Sequence, residues 1–165
     1  MSSPMLRSSL LVLVIAVAGC SSEEPGSEPE APTKCDPSRP APSSVPAFEL
    51  LREQIGGGYA PLVAGDALVR HYGAQGGSHF YVYGRLFSAE PSVWLLNASF
   101  TSADSTLLAQ GSRGFTACAA EWVEPREITV FLEAGGDLAG TLLVTAKPEQ
   151  GTPLTFEAPI TVSGG

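Results

Sequence analysis

Between residues 79 and 87 apolar and polar positions alternate. Phe80, Val82 and Leu86 fall on one side of an extended chain, with His79, Tyr81, Tyr83 and Arg85 on the other. Successive side chains of a strand point to opposite faces, so the pattern predicts a strand with one core face and one polar-aromatic face. The glycine-dense turn Gly73-Ala74-Gln75-Gly76-Gly77-Ser78 feeds it. The same period recurs downstream. Trp94, Leu96, Ala98 and Phe100 alternate with Asn97, Ser99 and Thr101 over 92–101; Ile128, Val130 and Leu132 point inward from 127–134; Leu154, Phe156, Ala158, Ile160 and Val162 share a face over 154–162. Shorter strands are expected at 66–72 and 138–146, and at 106–109 and 115–122 on either side of a turn Gly111-Ser112-Arg113-Gly114. Phe48 to Ile55 fits a short helix or an edge strand, and is assigned to a strand because everything after it is β.

Seven or eight short strands at a spacing of roughly 8–12 residues, punctuated by Gly and Pro, predict an all-β domain. The expected architecture is a single β-sandwich of immunoglobulin-like topology, with a small barrel as the alternative. The Cys-Trp-Cys spacing of true immunoglobulin domains is absent, so that likeness is architectural only.

The region before this domain has a different texture. Arg7 precedes an unbroken apolar run, Leu10 to Ala18, which is too short to span a bilayer and fits a signal-peptide core. It ends in Val17-Ala18-Gly19-Cys20, which resembles the bacterial lipobox: an aliphatic residue, two small residues, then the cysteine that becomes the acylated N-terminus. The resemblance implies a signal peptide over 1–19 and a lipid anchor on Cys20, permanent because more than one acyl chain is attached. Ser21 in the following position favours the outer over the inner membrane under the family's sorting pattern. Residues 20–46, rich in Pro, Ser and Glu, read as a semi-extended tether, which leaves 47–165 as the folded domain.

With Cys20 acylated, Cys35 and Cys118 remain. In an oxidising compartment they are expected to form a disulfide that closes a loop of more than eighty residues and staples the tether to the domain. The spacing lacks the Cys-x-x-Cys of a structural metal site, and His71 and His79 lie eight apart.

Charge and motifs narrow the function classes. A net charge of −8 without a basic stripe opposes nucleic-acid binding and electrostatic lipid binding. There is no Gly-x-Ser-x-Gly elbow, no phosphate-cradling loop and no evident carboxylate pair, so the reading is non-catalytic and without a cofactor. The segment from Leu62-Val63-Ala64-Gly65-Asp66 through Gly73-Ala74-Gln75-Gly76-Gly77-Ser78-His79 to Gly84-Arg85-Leu86 resembles one that recurs in uncharacterised exported proteins and lipoproteins of myxobacterial type. Those proteins carry a Gly-x-Gln-Gly-Gly-x-His turn before a strand, often with proline where Ala74 stands here. The resemblance implies a fold and no mechanism.

The candidate binding face is His79, Tyr81, Tyr83 and Arg85, residue types that dominate binding hot spots. His79 itself is expected to cap the glycine turn. Two functions follow: an envelope-anchored interaction or structural module with a protein partner, or an accessory lipoprotein that binds a metal or small ligand at His79, with His71 as a second ligand.

Overall fold

The computed structural model describes residues 33–74, 76–133 and 135–164; the expected signal peptide, Cys20 and the first part of the expected tether lie outside the described residues. The chain forms eleven strands: β1 (Cys35–Asp36), β2 (Ala47–Glu53), β3 (Tyr59–Pro61), β4 (Ala67–Tyr72), β5 (Ser78–Phe87), β6 (Val93–Thr101), β7 (Leu107–Thr116), β8 (Trp122–Val123), β9 (Arg126–Leu132), β10 (Leu138–Pro148) and β11 (Leu154–Gly164). No helix occurs among the described residues. The 48–55 segment is accordingly a strand for most of its length.

β5 organises the sheet because it is paired along both edges. One edge runs against β9 from Ser78 to Gly84 and meets β8 at Phe87. The other meets β4 at Ser78 and His79, then β2 from Tyr83 to Phe87. Following the ladders from β5 through β4, β11, β10, β6, β7 and β9 leads back to β5, so one sheet closes into a seven-strand barrel. The immunoglobulin-like arrangement of two stacked sheets is thereby corrected to a barrel. The alternation pattern is common to both solutions; what separates them is the long-range β5–β9 pairing, which leaves the main ring without an open edge. β4 and β11 run parallel, and the other ladders are antiparallel. β2, β3, β1 and β8 are additions to the outside of the ring.

The interior holds the predicted apolar positions. Phe80, Val82, Leu86, Leu96, Phe100, Ile128, Val130, Leu142, Val144 and Val162 are fully buried. Phe80 and Phe100 meet edge to face with centroids 5.8 Å apart, the arrangement that aromatic quadrupoles favour. Gly84 is part of this packing. It faces inward between Phe80–Val82 and Leu86, and a Cβ there would press on Leu96 and Phe48 side chains.

The turn expected at 111–114 is not formed; β7 runs through it without a break. Gly111 explains why. Its register partner Ala98 is buried, so Gly111 also faces inward, and a Cβ would run into the carbonyl oxygen of Thr129 on β9. Glycine here permits a close backbone approach rather than a reversal.

The stretch read as tether is packed on the barrel from Lys34 to Pro40. β1 pairs with β8, the Trp122 indole N–H donates to the Pro40 carbonyl at 2.9 Å, and the Arg39 guanidinium lies 5.1 Å from the Trp122 ring centroid. The expected Cys35–Cys118 disulfide is formed, across 83 residues of sequence. A loop of that length restricts the unfolded chain by about 4.5 kcal/mol in the chain-entropy account.

The two β7 glycines separate the packing account from the turn account. Gly111→Ala is expected to destabilise by about 3 kcal/mol, as an overpacked core does. Gly114→Ala, whose nearest new contact would be the Trp94 carbonyl at 3.9 Å, should change stability by less than about 0.5 kcal/mol. Urea unfolding of the two variants checks this; equal, small effects would refute the close-approach reading.

Candidate functional site

The outer face of β5 carries His79, Tyr81, Tyr83 and Arg85, as alternation dictates. What covers these four residues divides them into two pairs. At the far end, β2 lies alongside β5 and sets Glu49 opposite Arg85. Glu49 accepts two hydrogen bonds from Arg39 Nη2, at 2.6 and 2.8 Å, and stands 3.9 Å from Arg85 Nη1. Tyr83 is buried to 8% exposure beneath Tyr59 of β3, with ring centroids 4.7 Å apart. The four residues expected to form a binding face thus have two kinds of surroundings: Tyr83 and Arg85 pack against the added strands, while His79 and Tyr81 are half-buried beyond them.

Burial shifts Tyr83 first, with the nearby carboxylates Glu53 and Glu127 next; together they push its phenol up to about 12.

His79 and Tyr81 gain a neighbour from β4. His71 is the direct register partner of His79, and the two rings stack with centroids 5.8 Å apart and 20° between planes. The Tyr81 ring is 4.8 Å from each imidazole. His79 Nε2 and the Tyr81 hydroxyl are hydrogen-bonded at 2.7 Å. The expectation that His79 caps the glycine turn is thus replaced by a bond along its own strand. The turn closes on itself, with the Gly73 N–H donating to the Gly77 carbonyl at 2.8 Å and Gly76 at φ +85°. Only glycine takes that conformation without strain. On the β9 side, Phe131 faces His79 in register, with centroids 6.1 Å apart.

Beside this aromatic cluster the barrel wall is interrupted. On the edge of β5 away from β9, β4 pairs with residues 78–79 and β2 with 83–87; no ladder covers 80–82 there. A groove of about 390 Å³ lies at this break, lined by Arg52, Ile55, Val69, His71, Tyr81 and Tyr83 among others. Ile55 and Val69 are exposed apolar side chains. One rim is held by Arg52 Nε and Asp66 Oδ2, 3.0 Å apart as an ion pair rather than an aligned hydrogen bond, and Asp66 also accepts the Val63 N–H at 2.8 Å.

Among the described residues no group of three or more His, Cys, Asp or Glu side chains is placed to hold a metal ion. Two imidazoles and a phenol are the donors that the fold does bring together. Cys35 and Cys118 are bonded to each other, well away in sequence from both histidines.

Two residues of this region escaped the sequence reading. Phe131 falls on the polar side of the β9 alternation and is 62% exposed; an apolar residue at an outward position was the available signal. Arg70 had none. It follows inward-facing Leu68 on β4, is 3% exposed, and its Nε and Nη2 have no hydrogen-bond partner.

No family model and no curated protein matches the chain. Among solved structures, the N-terminal domain of PorA is similar at a TM-score of 0.34 and 13% identity, over 72% of this chain and 100% of that one.

Two measurements test these environments. Because the fold favours the neutral Tyr83 phenol, its contribution is complete below the ordinary tyrosine value near 10 and is lost as pH rises through about 12. In an alkaline absorbance titration, Tyr83→Phe should remove a transition near pH 12 and flatten the accompanying loss of stability. Arg70→Met should raise stability by about 1 kcal/mol, since a buried charge with unpaired donors is replaced by an apolar chain of similar length. Chemical denaturation reads that change, and a loss instead would mean that the guanidinium is compensated.

Proposed function

We propose that the chain is a non-catalytic interaction module of the bacterial envelope, anchored by lipid on Cys20 and placed at the outer membrane. It takes an extended segment of an envelope protein into the groove between β4 and β5. The observation that carries this is the uncovered edge of β5 at 80–82, flanked by exposed apolar and aromatic side chains. An uncovered edge is the feature used when a peptide adds a strand to a sheet, with main-chain bonds supplying affinity and side pockets supplying selectivity. The Pro-, Ser- and Glu-rich residues ahead of Lys34 would give the module reach from the membrane.

The test has two arms. A palmitate analogue should label the wild type and not Cys20→Ser. A photo-crosslinking amino acid at Tyr81 or Val69 should give a discrete protein adduct in intact cells, and one at exposed Thr155 should not. Equal adducts at all three positions, or none, would sink the groove reading. Labelling of the serine variant would sink the anchor.

A second reading is favoured by the cross-strand stacking of His71 and His79 beside the Tyr81 hydroxyl: an accessory protein that binds a divalent transition metal at this cluster. Imidazole suits copper, nickel and zinc. Under this reading the melting temperature of the full chain rises by several degrees with one of these ions, and the rise disappears in His79→Ala and in His71→Ala. A flat response in the wild type eliminates it.

A further inference from the structure

On the far side of Phe131 the outer wall of the barrel forms a second concave surface with different chemistry. Its floor is a grid set by register. Asn97 on β6 faces Ser112 on β7 and Thr145 on β10; Ser99 faces Gln110 and Leu143; Gln110 in turn faces Phe131 on β9. These side chains point outward because the residues between them, Leu96, Ala98, Phe100, Ala109 and Val144, are buried in the interior. The groove encloses about 610 Å³ and is lined by Asn97, Ser99, Gln110, Ser112, Thr145 and Phe131, with Leu143 and backbone at Ala98 and Gly111.

Three properties of this groove bear on what it can bind. It contains no ionisable side chain, although the chain carries a net charge of −8. Its polar groups are amides and hydroxyls, each able to donate and to accept a hydrogen bond. At its edge Phe131 presents an aromatic ring that is 62% exposed.

We infer that this groove binds a neutral oligosaccharide. Sugar hydroxyls are donors and acceptors at once, so they match amide and hydroxyl partners in either direction. The apolar C–H face of a pyranose ring matches an aromatic face. A charged ligand would find no counter-charge here, and an apolar segment would desolvate five polar side chains without replacing their hydrogen bonds. Three ladder steps separate Phe131 from the Leu143–Thr145 row, about 14 Å at the usual strand spacing. That length suits a ligand of about three sugar rings. The inference goes beyond the segment-capture reading and stands separately from it, because the two grooves share no lining residue.

The experiment is isothermal titration of the full-length protein, in a detergent without a sugar head group, with maltotriose, cellotriose and N,N′,N″-triacetylchitotriose. Saturable binding of at least one is expected. Phe131→Ala should weaken it about tenfold, the equivalent of one good stacking contact. A double variant, Asn97→Ala with Gln110→Ala, should abolish it, and Tyr81→Ala should bind as the wild type does. All these side chains lie on the outer wall, and each variant is first shown to melt as the wild type. Absence of binding for all three trisaccharides overturns the inference, as does binding that Phe131→Ala and the double variant leave unchanged. Failure of the segment-capture reading would appear instead in the Tyr81 crosslink, which this titration does not touch.

Discussion

The pairing of β5 with β9 is the contact on which the rest of the structure depends. Without it the seven strands would form an open sheet with two free edges and an apolar face too large to hide. With it, the interior fills with a single set of side chains, and every outward residue is forced onto one continuous curved wall. Recognition on such a body has two places available: the wall itself, or a break in it. The protein has one of each within a few strands. The break lies between β4 and β2 on one side of His79, and the polar grid lies beyond Phe131 on the other.

Closure also explains how polar groups are distributed. Tyr83 and Arg85 would be solvated on a bare strand, yet β2 and β3 are laid over them, and Glu49, Arg39 and Tyr59 turn that end of β5 into a fastening. His79 and Tyr81 lie just beyond its reach. Arg70 is the exception on the inner side, a guanidinium carried into the barrel wall with two donor atoms unpaired. Such a group is costly when unsatisfied, and its presence marks the β4–β11 side as a place where stability was not the only constraint.

Most of the strands were legible in the residues, since the period of two is local and survives in any β architecture. Trp94 to Phe100 and Ala158 to Val162 are buried in the alternation that they predict, with Leu154 and Phe156 half-buried on the same face. The closed topology was not legible. It rests on β5 meeting β9 some fifty residues later, and no local pattern encodes that meeting. Gly111 misled for a related reason: a glycine that admits a neighbouring backbone looks the same in sequence as one that turns the chain. For the site, the aromatic and imidazole types on β5 were readable, but their division between two surroundings depends on strands added from elsewhere. The His71–His79 contact is another product of register, invisible at a spacing of eight residues.

The Cys35–Cys118 bond has a mechanical consequence. A pull on the chain ahead of Cys35 enters the folded body there and passes through sulfur into the segment that follows β7, not along the backbone into β2. Tension is thus routed to the rim where β1 and β8 are laid on the ring. The residues of β2 and the loop after it that form one wall of the β4–β5 groove are spared the load. A force applied ahead of Cys35 would thus leave the shape of that groove unchanged.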